Sequence, residues 1–506
     1  MQCPKCGMEN PDNAAICNSC GRVLEEDFSK KPVKKPKTSR LAIASLVLSI
    51  FGLLTFLITA LLSIALGIAS LYRIKKYKTE LKGKYLAVTG ITISAISIIV
   101  FLAILVLWNI DAPPIPDDYT IADLRSAPPE CARSYELLID ISEEEEYPPD
   151  APSIGLSAQD VNIIYQVSDA IKETDYSGII EALKENKERI YQAWENGKKG
   201  RDIIEELNTF LEIADLTEPD LEANIGFLRN IKILAYLYQA YVYLQTEQDN
   251  SQIAINELIE LDSVFRKLSV NTRSTVTKLV CYAVLNVAIR TVNFITNNPQ
   301  TSQEVLELLA EHFTPLTKEQ ISLRNPVISE YLMFKKTLDT KSGKHYSLPK
   351  TPFLKRNSSL RLYKNYCDNW INVIEQSQEP KKPELSVWPS VYPDWIVVSI
   401  DSEGKVPWIY TAYNPIGSIL VRLLTPAMEK VLEINTKQQI HSDLLQIVLN
   451  KRLGKGGSLK ARAYSDEYII DIEKKKIFSP GPDGEPNTKD DIKLTINPEV
   501  LGLSPE

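Results

Sequence analysis

The apolar and polar positions of this chain separate into blocks of different period. Leu41–Tyr72 runs 32 residues without a charge, and Tyr85–Ile110 runs another 26. Either exceeds the ~20 apolar residues that cross a bilayer, and neither carries the polar face of a soluble surface helix. Membrane insertion is the expectation. A straight helix of 32 residues would be ~48 Å long and would need a tilt of about 50° in a ~30 Å hydrocarbon core, steeper than membrane helices adopt. A break near Gly52–Thr59, in "GLLTFLIT", removes the excess and predicts a helical hairpin over 41–72. Its arms of ~21–22 Å leave a re-entrant hairpin, two thin spans and one tilted helix as alternatives. Small residues recur at i, i+4 and i+7 as Ser45/Ser49/Gly52, Ser63/Gly67/Ser70 and Gly90/Ser94/Ser97. Such stripes let helix backbones approach closely in lipid.

Beyond the membrane segments the period becomes that of soluble helices. "FLRNIKILAYLYQAYVYL" places Phe227, Ile231, Leu234, Tyr238 and Tyr241 on one helical face. "STVTKLVCYAVLNVAIRTVNFI" is apolar almost all round and predicts a central helix. Thr301 and Glu304 have the spacing of a capping box. Residues 156–345 are therefore expected to form a solenoid- or bundle-like helical domain. The Tyr-rich stripe at 236, 238, 241 and 243 fits core packing better than a ligand face. Residues 111–155, with "APPIPDD" and "EEEEYPPDAP", read as an extended acidic tether interrupted by a helix near Cys131–Ile141. Residues 384–506 predict a small α+β segment. A long helix, kinked at Pro426, precedes an antiparallel meander.

Charge decides how these blocks sit about a membrane. The 506 residues include 57 basic and 65 acidic side chains, net -8, yet Met1–Tyr85 alone is net +8 and the remainder -16. This asymmetry favours a membrane orientation signal over a nucleic-acid-binding body. Two basic tracts, "KKPVKKPKTSR" and "YRIKKYKTELKGK", flank the first apolar block. Basic loops favour the cytoplasm, and a hairpin places both tracts there. The helix 85–110 then crosses once, with Trp108 at the far interface, and the large acidic region lies outside the cytoplasm. The expected location is a bacterial inner membrane with a cytoplasmic N-terminus, the lipid bilayer as one partner and proteins, rather than nucleic acid, as others.

Four of the seven cysteines, Cys3, Cys6, Cys17 and Cys20, form C-x2-C-x10-C-x2-C. Four thiolates close a tetrahedron and leave no open position, which is the pattern of structural zinc rather than of catalytic metal. A module this short needs the metal to fold. The alternatives are two redox pairs or a disulfide-bonded tail. The segment resembles the short zinc ribbons at the N-termini of many bacterial membrane proteins, followed by the basic linker 25–40. The stretch "LAIASLVLSIFGLL…LSIALGIASLYRIKK…GKYLAVTGITISAISIIV" resembles an uncharacterised bacterial integral-membrane domain, which implies membrane integration and no particular activity.

At the other end, a helix followed by a meander ending in "FSPGPDGEPNTKDDI" resembles type II secretion pseudopilins. That resemblance implies a calcium loop. Asp483, Asn487, Asp490 and Asp491 supply oxygen ligands of the kind calcium takes, and Gly484 and Pro486 permit the sharp turn. The chain lacks the cleavable leader and the lipid-facing first helix of those proteins, so pilus assembly is not implied. A plain polar hairpin accounts for the same residues.

No motif of a hydrolase, kinase or nucleotide-binding loop is present, and His312, His345 and His441 lie far apart. Cys367 with His345 is a conceivable nucleophile and base, although a buried thiol is the simpler reading. The expectation is a non-enzymatic, membrane-anchored interaction scaffold. A secretion-related component and an envelope enzyme of unrecognised motif are the alternatives.

Overall fold

A computed structural model describes residues 1–24, 37–55, 58–78, 81–142, 154–173, 176–248, 250–339, 351, 353–376, 408–424 and 428–503. The chain divides into two compact units, Met1–Ile110 and Asp111–Glu506.

The first unit holds the N-terminal Cys-rich module and the apolar helices. After strand β1 (Lys37–Thr38) come α1 (Arg40–Thr55) and α2 (Ile58–Lys76), then β2 (Leu81–Lys82) and α3 (Lys84–Asn109). The first apolar block is thus two helices, interrupted within the stretch where the sequence predicts a break. At 1.5 Å per residue α1 is ~24 Å long and α3 ~39 Å. By length and composition α2 and α3 suffice to cross a membrane, while the apolar part of α1 is shorter.

The three helices pack against one another in an inverted way. Ala42, Ser45, Ser49, Ala60, Ser63, Ser70, Ala87 and Ser94 are fully buried, whereas Ile50, Phe51, Ile58, Ile68, Ile96, Ile99 and Val106 are exposed. In water this arrangement would be costly, because large apolar side chains gain most from burial. In lipid it is favourable, because close packing of small residues is what holds helices together. Ser45 Oγ donates to the Ser63 carbonyl at 2.9 Å and Ser63 Oγ to the Ser45 carbonyl at 2.7 Å, so α1 and α2 are tied by a reciprocal pair. A Cβ on Gly90 would meet Ser45 Oγ and the Ser45–Leu46 backbone, so α3 approaches α1 at a point where only glycine fits. Of the predicted stripe residues, Ser45, Ser49, Ser63, Gly67, Ser70, Gly90, Ser94 and Ser97 are buried, and the burial of Gly52 lies outside what is described.

β1 and β2 pair in parallel, Lys37 with Leu81 and Thr38 with Lys82, and the Ser39 N–H donates to the Lys82 carbonyl at 2.9 Å. The ends of the two basic tracts are therefore hydrogen-bonded to each other. The described ends of the two tracts, residues 37–40 and 81–84, thus stand at one end of the three-helix unit, and α3 runs from that end to the opposite one.

The second unit is mainly helical. Its helices are α4 (Cys131–Asp140), α5 (Ala158–Glu173), α6 (Tyr176–Glu185), α7 (Lys187–Asn196), α8 (Lys198–Thr209), α9 (Phe227–Glu247), α10 (Ser251–Val270), α11 (Thr275–Asn297), α12 (Gln303–His312), α13 (Lys318–Ile321), α14 (Arg324–Leu338), α15 (Arg356–Gln376), α16 (Trp408–Tyr413), α17 (Pro415–Leu424) and α18 (Met428–Arg452). Strands β3 (Ile469–Asp471), β4 (Lys476–Ser479) and β5 (Ile492–Thr495) form an antiparallel meander.

α11 is the hub, touching α9, α10, α14, α18 and β5. Its composition would suit a membrane span, but 72% of it is buried inside this unit. Ser274 caps its first turn by accepting from the Val276 and Thr277 N–H groups. Lys278 is fully buried on the same helix and donates to the Ser269 and Gln320 carbonyls, tying α10 and α13 to the hub. Tyr236, Tyr238 and Tyr243 are buried in the core, and Tyr241 stacks on Trp194 with ring centroids 3.8 Å apart. The Tyr stripe is therefore occupied by packing.

Two sequence expectations need correction. The segment expected as a tether is docked over Asp111–Ser142. The Asp118 carboxylate pairs with Lys335 at 2.7 Å, the Tyr119 hydroxyl donates to Asp368 at 2.5 Å, and Arg324 donates to the Asp123 carbonyl at 2.9 Å. Leu137, Leu138 and Ile141 enter the main core, and Asn230 Nδ2 donates to the Ile141 carbonyl. Acids that would repel one another in an isolated linker are here paired with a complementary surface. The acidic run 143–146 lies outside the described residues.

Second, the region 156–345 and the segment 384–506, expected as separate domains, share one core. Val292, Ile295 and Leu309 pack with Leu444, Val448, Ile477 and Leu494, so the C-terminal helix and sheet cover the hub. Asn293 and Asn297 on α11 donate to the Thr495 carbonyl on β5. The expected long helix is α17 followed by α18, with Pro426 itself outside the described residues. "VWPSVYPDWIVVSID" also lies outside them.

Candidate metal centre

The sequence of the N-terminal module builds the same turn twice. Cys3 and Cys17 each begin a knuckle whose first carbonyl accepts from the glycine four residues on, Gly7 and Gly21, at 2.9 Å. Those glycines adopt φ 71° and 66°, the left-handed region open to glycine at little cost. The Cys3 and Cys17 N–H groups then close the turns by donating to Met8 and Arg22. Each C-x2-C pair thereby aims two sulfurs to one side.

The two pairs meet. All four sulfurs lie within 4.8 Å of one another. Cys3 Sγ is 3.7 Å from Cys20 Sγ, and Cys6 Sγ is 3.5 Å from Cys17 Sγ. A tetrahedral zinc ion with Zn–S bonds of ~2.3 Å requires S···S edges of ~3.8 Å. The chain's own geometry fits that ion. Among the described residues this is the one group of three or more potential metal ligands.

The electrostatics agree. Backbone N–H groups of Cys20 and Ser19 pull the Cys17 thiol down to about 6. At Cys6 the Met8 N–H also acts downward, but the neighbouring Cys20 and Cys17 sulfurs overcome it and push the thiol up to about 12. Four thiolates at these separations repel strongly, and a soft divalent cation removes the repulsion.

Asn10 is a participant that the cysteine spacing does not reveal. It is 6% exposed in an otherwise open module. Its Nδ2 donates to the Met8 carbonyl at 2.9 Å and to Cys17 Sγ at 3.5 Å, while its Oδ1 accepts from the Asn18 N–H at 3.0 Å. It joins the two knuckles and stabilises negative charge on one sulfur. The "MENPDN" spacer gave only a polar turn as a signal.

The other sequence candidates are dispersed. Cys367 is fully buried, and burial pushes its thiol well above the ordinary range. His345 lies outside the described residues. His441 is buried against Asn286, and burial depresses it to about 3, so it stays neutral. In the C-terminal loop, Asp490 accepts from the Asp483 N–H at 3.2 Å and from the Thr488 hydroxyl at 2.5 Å. Asp491 Oδ2 pairs with Lys476 at 2.9 Å and accepts from the Asn487 N–H, and Asn487 Oδ1 accepts from Lys474 at 2.6 Å. The four residues thus meet in one loop, held by its own hydrogen bonds and two lysines.

Comparison with known proteins agrees with this division. Residues 2–24 match the model of a zinc-ribbon domain family, and residues 41–104 match that of a domain of unknown function, DUF4190. No curated protein and no solved structure matches the chain. The pseudopilin resemblance is unconfirmed.

Zinc titration against a chromophoric chelator should give one equivalent per chain. Cys17→Ser should abolish it. Asn10→Ala should weaken affinity by about tenfold or more, as loss of an outer-shell partner does. Wild-type affinity in Asn10→Ala would remove Asn10 from the centre.

Proposed function

We propose that the chain is a membrane-anchored, non-enzymatic interaction scaffold, with its zinc ribbon and both basic tracts on the cytoplasmic side and its helical body on the other. The carrying observation is the inverted three-helix unit. Its small residues pack inward, its large apolar side chains face outward, and its two basic tracts are joined at one end. An excess of lysine and arginine at one end favours the cytoplasm, and an odd number of net crossings then exports the body. In a bacterium this membrane is the inner one.

The ribbon supports the scaffold reading. It exposes Met8, Ile16 and Val23, with Val23 63% accessible. A module of about two dozen residues cannot bury these side chains by itself, so a protein surface is their natural complement. In the body the nucleophile candidate Cys367 is spent on packing. Photocrosslinking in intact membranes, followed by purification of the chain, should recover defined partners. Ile16→Asp/Val23→Asp should lose the ribbon-bound partners while zinc content stays at one equivalent. An unchanged partner set in that variant would contradict the role given to the ribbon.

We further propose calcium for the C-terminal loop. What supports it is Asp491, whose side chain is only 2% exposed while its Oδ1 has no hydrogen-bond partner among the described residues. A buried carboxylate oxygen left unpaired is costly, and a hard cation would satisfy it by drawing in Asp483, Asp490 and Asn487 of the same loop, which do not yet form a ligand cluster. Calcium at 100 times its dissociation constant should stabilise the body by ~2.7 kcal/mol. Thermal unfolding with calcium and with chelator should show this shift in the wild type and lose it in Asp491→Asn. Equal midpoints in both conditions for the wild type would leave a self-contained turn.

A further inference from the structure

The first residues of the body are held by a different means from those that follow. Between Asp111 and Ser126 only Ala112 and Leu124 are buried, while Pro113, Pro114, Pro116, Asp117 and residues 120–123 are exposed. Past Pro128 and Pro129 the character changes. Cys131, Ser134, Leu138 and Ile141 on or beside α4 are sealed from solvent, and Leu137, Leu138 and Ile141 belong to the main core. The junction is "SAPPE", residues 126–130, which enters that core with none of its side chains buried.

Polar groups on α14 and α15 do the holding of residues 111–126. The Asp111 carboxylate accepts from the Asn357 N–H at 2.9 Å and the Ser358 N–H at 3.1 Å, in the first turn of α15, where the helix dipole favours an anion. Asn357 Nδ2 donates to the Ala112 carbonyl at 2.7 Å, and Arg361 donates to the Pro113 and Pro114 carbonyls at 3.1 and 3.2 Å. Lys335 pairs with Asp118 and donates to the Tyr119 carbonyl at 3.1 Å, and the Tyr331 hydroxyl donates to Asp118. Lys364 lies 4.3 Å from the centroid of the Tyr119 ring. At the far end Asn325 Oδ1 accepts from the Arg125 N–H at 3.1 Å. The Lys335 and Asp118 side chains are 27% and 22% exposed, so water and salt reach their ion pair. Ordering an extended segment costs conformational entropy, and two buried apolar side chains offset little of it. The face beneath, with Asn357, Arg361, Lys335 and Lys364, is polar enough to be hydrated when uncovered. α4 has no such freedom, because its departure would open the core.

We propose that residues 111–126 are a releasable strap. In one state it lies docked on α14 and α15, and in the other it is free while α4 stays in the core. Local opening of this kind takes segments with few buried apolar contacts and leaves the rest folded. Salt, which competes for Lys335 and Lys364, shifts the strap toward the free state. The consequence is a tether of two lengths. α3 ends at Asn109, so a docked strap leaves Ile110 alone between that helix and the body. A free strap adds the 20 residues 111–130 of the sequence, which span at most ~66 Å when extended. The strap thereby sets how far the body can move from α3, whichever side of a membrane the body occupies.

The test uses the full, zinc-loaded chain in detergent, with a nitroxide at Ala122→Cys on the strap or at Ala132→Cys on α4, both exposed positions. Cys131, Cys281 and Cys367 are buried and the other cysteines are ligated, so labelling is selective. At low salt both labels should give slow-motion spectra. Raising the salt to ~1 M, where the screening length falls to ~3 Å, should increase the mobile fraction at 122 several-fold and leave 132 unchanged. Asp118→Asn/Tyr119→Phe, which weakens the strap without touching α14 or α15, should produce the same spectrum at low salt while the thermal midpoint of the body stays in place. A label at 122 that is mobile in the wild type at low salt would overturn the docked state. A label at 122 that becomes mobile only as the body unfolds, in both salt conditions and in the double variant, would make the strap an inseparable part of the core and refute its release.

Discussion

Ser45 and Ser63 donate to each other's carbonyls across α1 and α2, and α3 closes on the same spot because Gly90 has no side chain to obstruct it. In the proposed topology, the side of the membrane on which each part of the chain lies depends on this contact. It folds the first apolar block back on itself, so that β1 and β2 meet and the basic tracts come together. Had the block formed one continuous helix, those tracts would lie on opposite faces and the charge asymmetry would have no consistent reading. In lipid the hydrophobic effect does not draw helices together. Close packing of small residues and two buried hydroxyl–carbonyl bonds therefore carry the association.

The ribbon and the body solve the stability problem by different means. The ribbon has almost no core, and its order depends on four sulfurs arranged for one ion, with Asn10 bracing two knuckles. The body is large enough for burial to suffice. Its hub α11 is covered by α9, α10, α14 and α18 and by the sheet, and the hub's polar side chains are used as ties. Lys278 secures α10 and α13, while Asn293 and Asn297 secure β5.

How much of this was legible in the sequence follows from the range of the forces involved. The cysteine quartet, the small-residue stripes and the interruption in the first apolar block are local patterns, and periodicity or spacing exposes them. The docking of Asp111–Ser142 is not local. Pro-rich acidic sequence reads as a self-repelling linker until Lys335, Arg324 and Asp368, some two hundred residues away, supply the partners. The shared core was hidden for the same reason, since Leu444 and Val448 find Val292 and Ile295 only through tertiary packing. Asn10 was missed because an asparagine in a polar spacer looks like any turn residue.

In the proposed topology the three-helix unit keeps both basic tracts on the cytoplasmic side and sends the body across. Single cysteines at Lys78→Cys, in the exposed turn after α2, and at Leu211→Cys, on the body, test it directly in intact cells. A membrane-impermeant thiol reagent should label position 211 before lysis and position 78 only after it. Labelling at 78 with protection at 211, or labelling of both before lysis, would contradict the account.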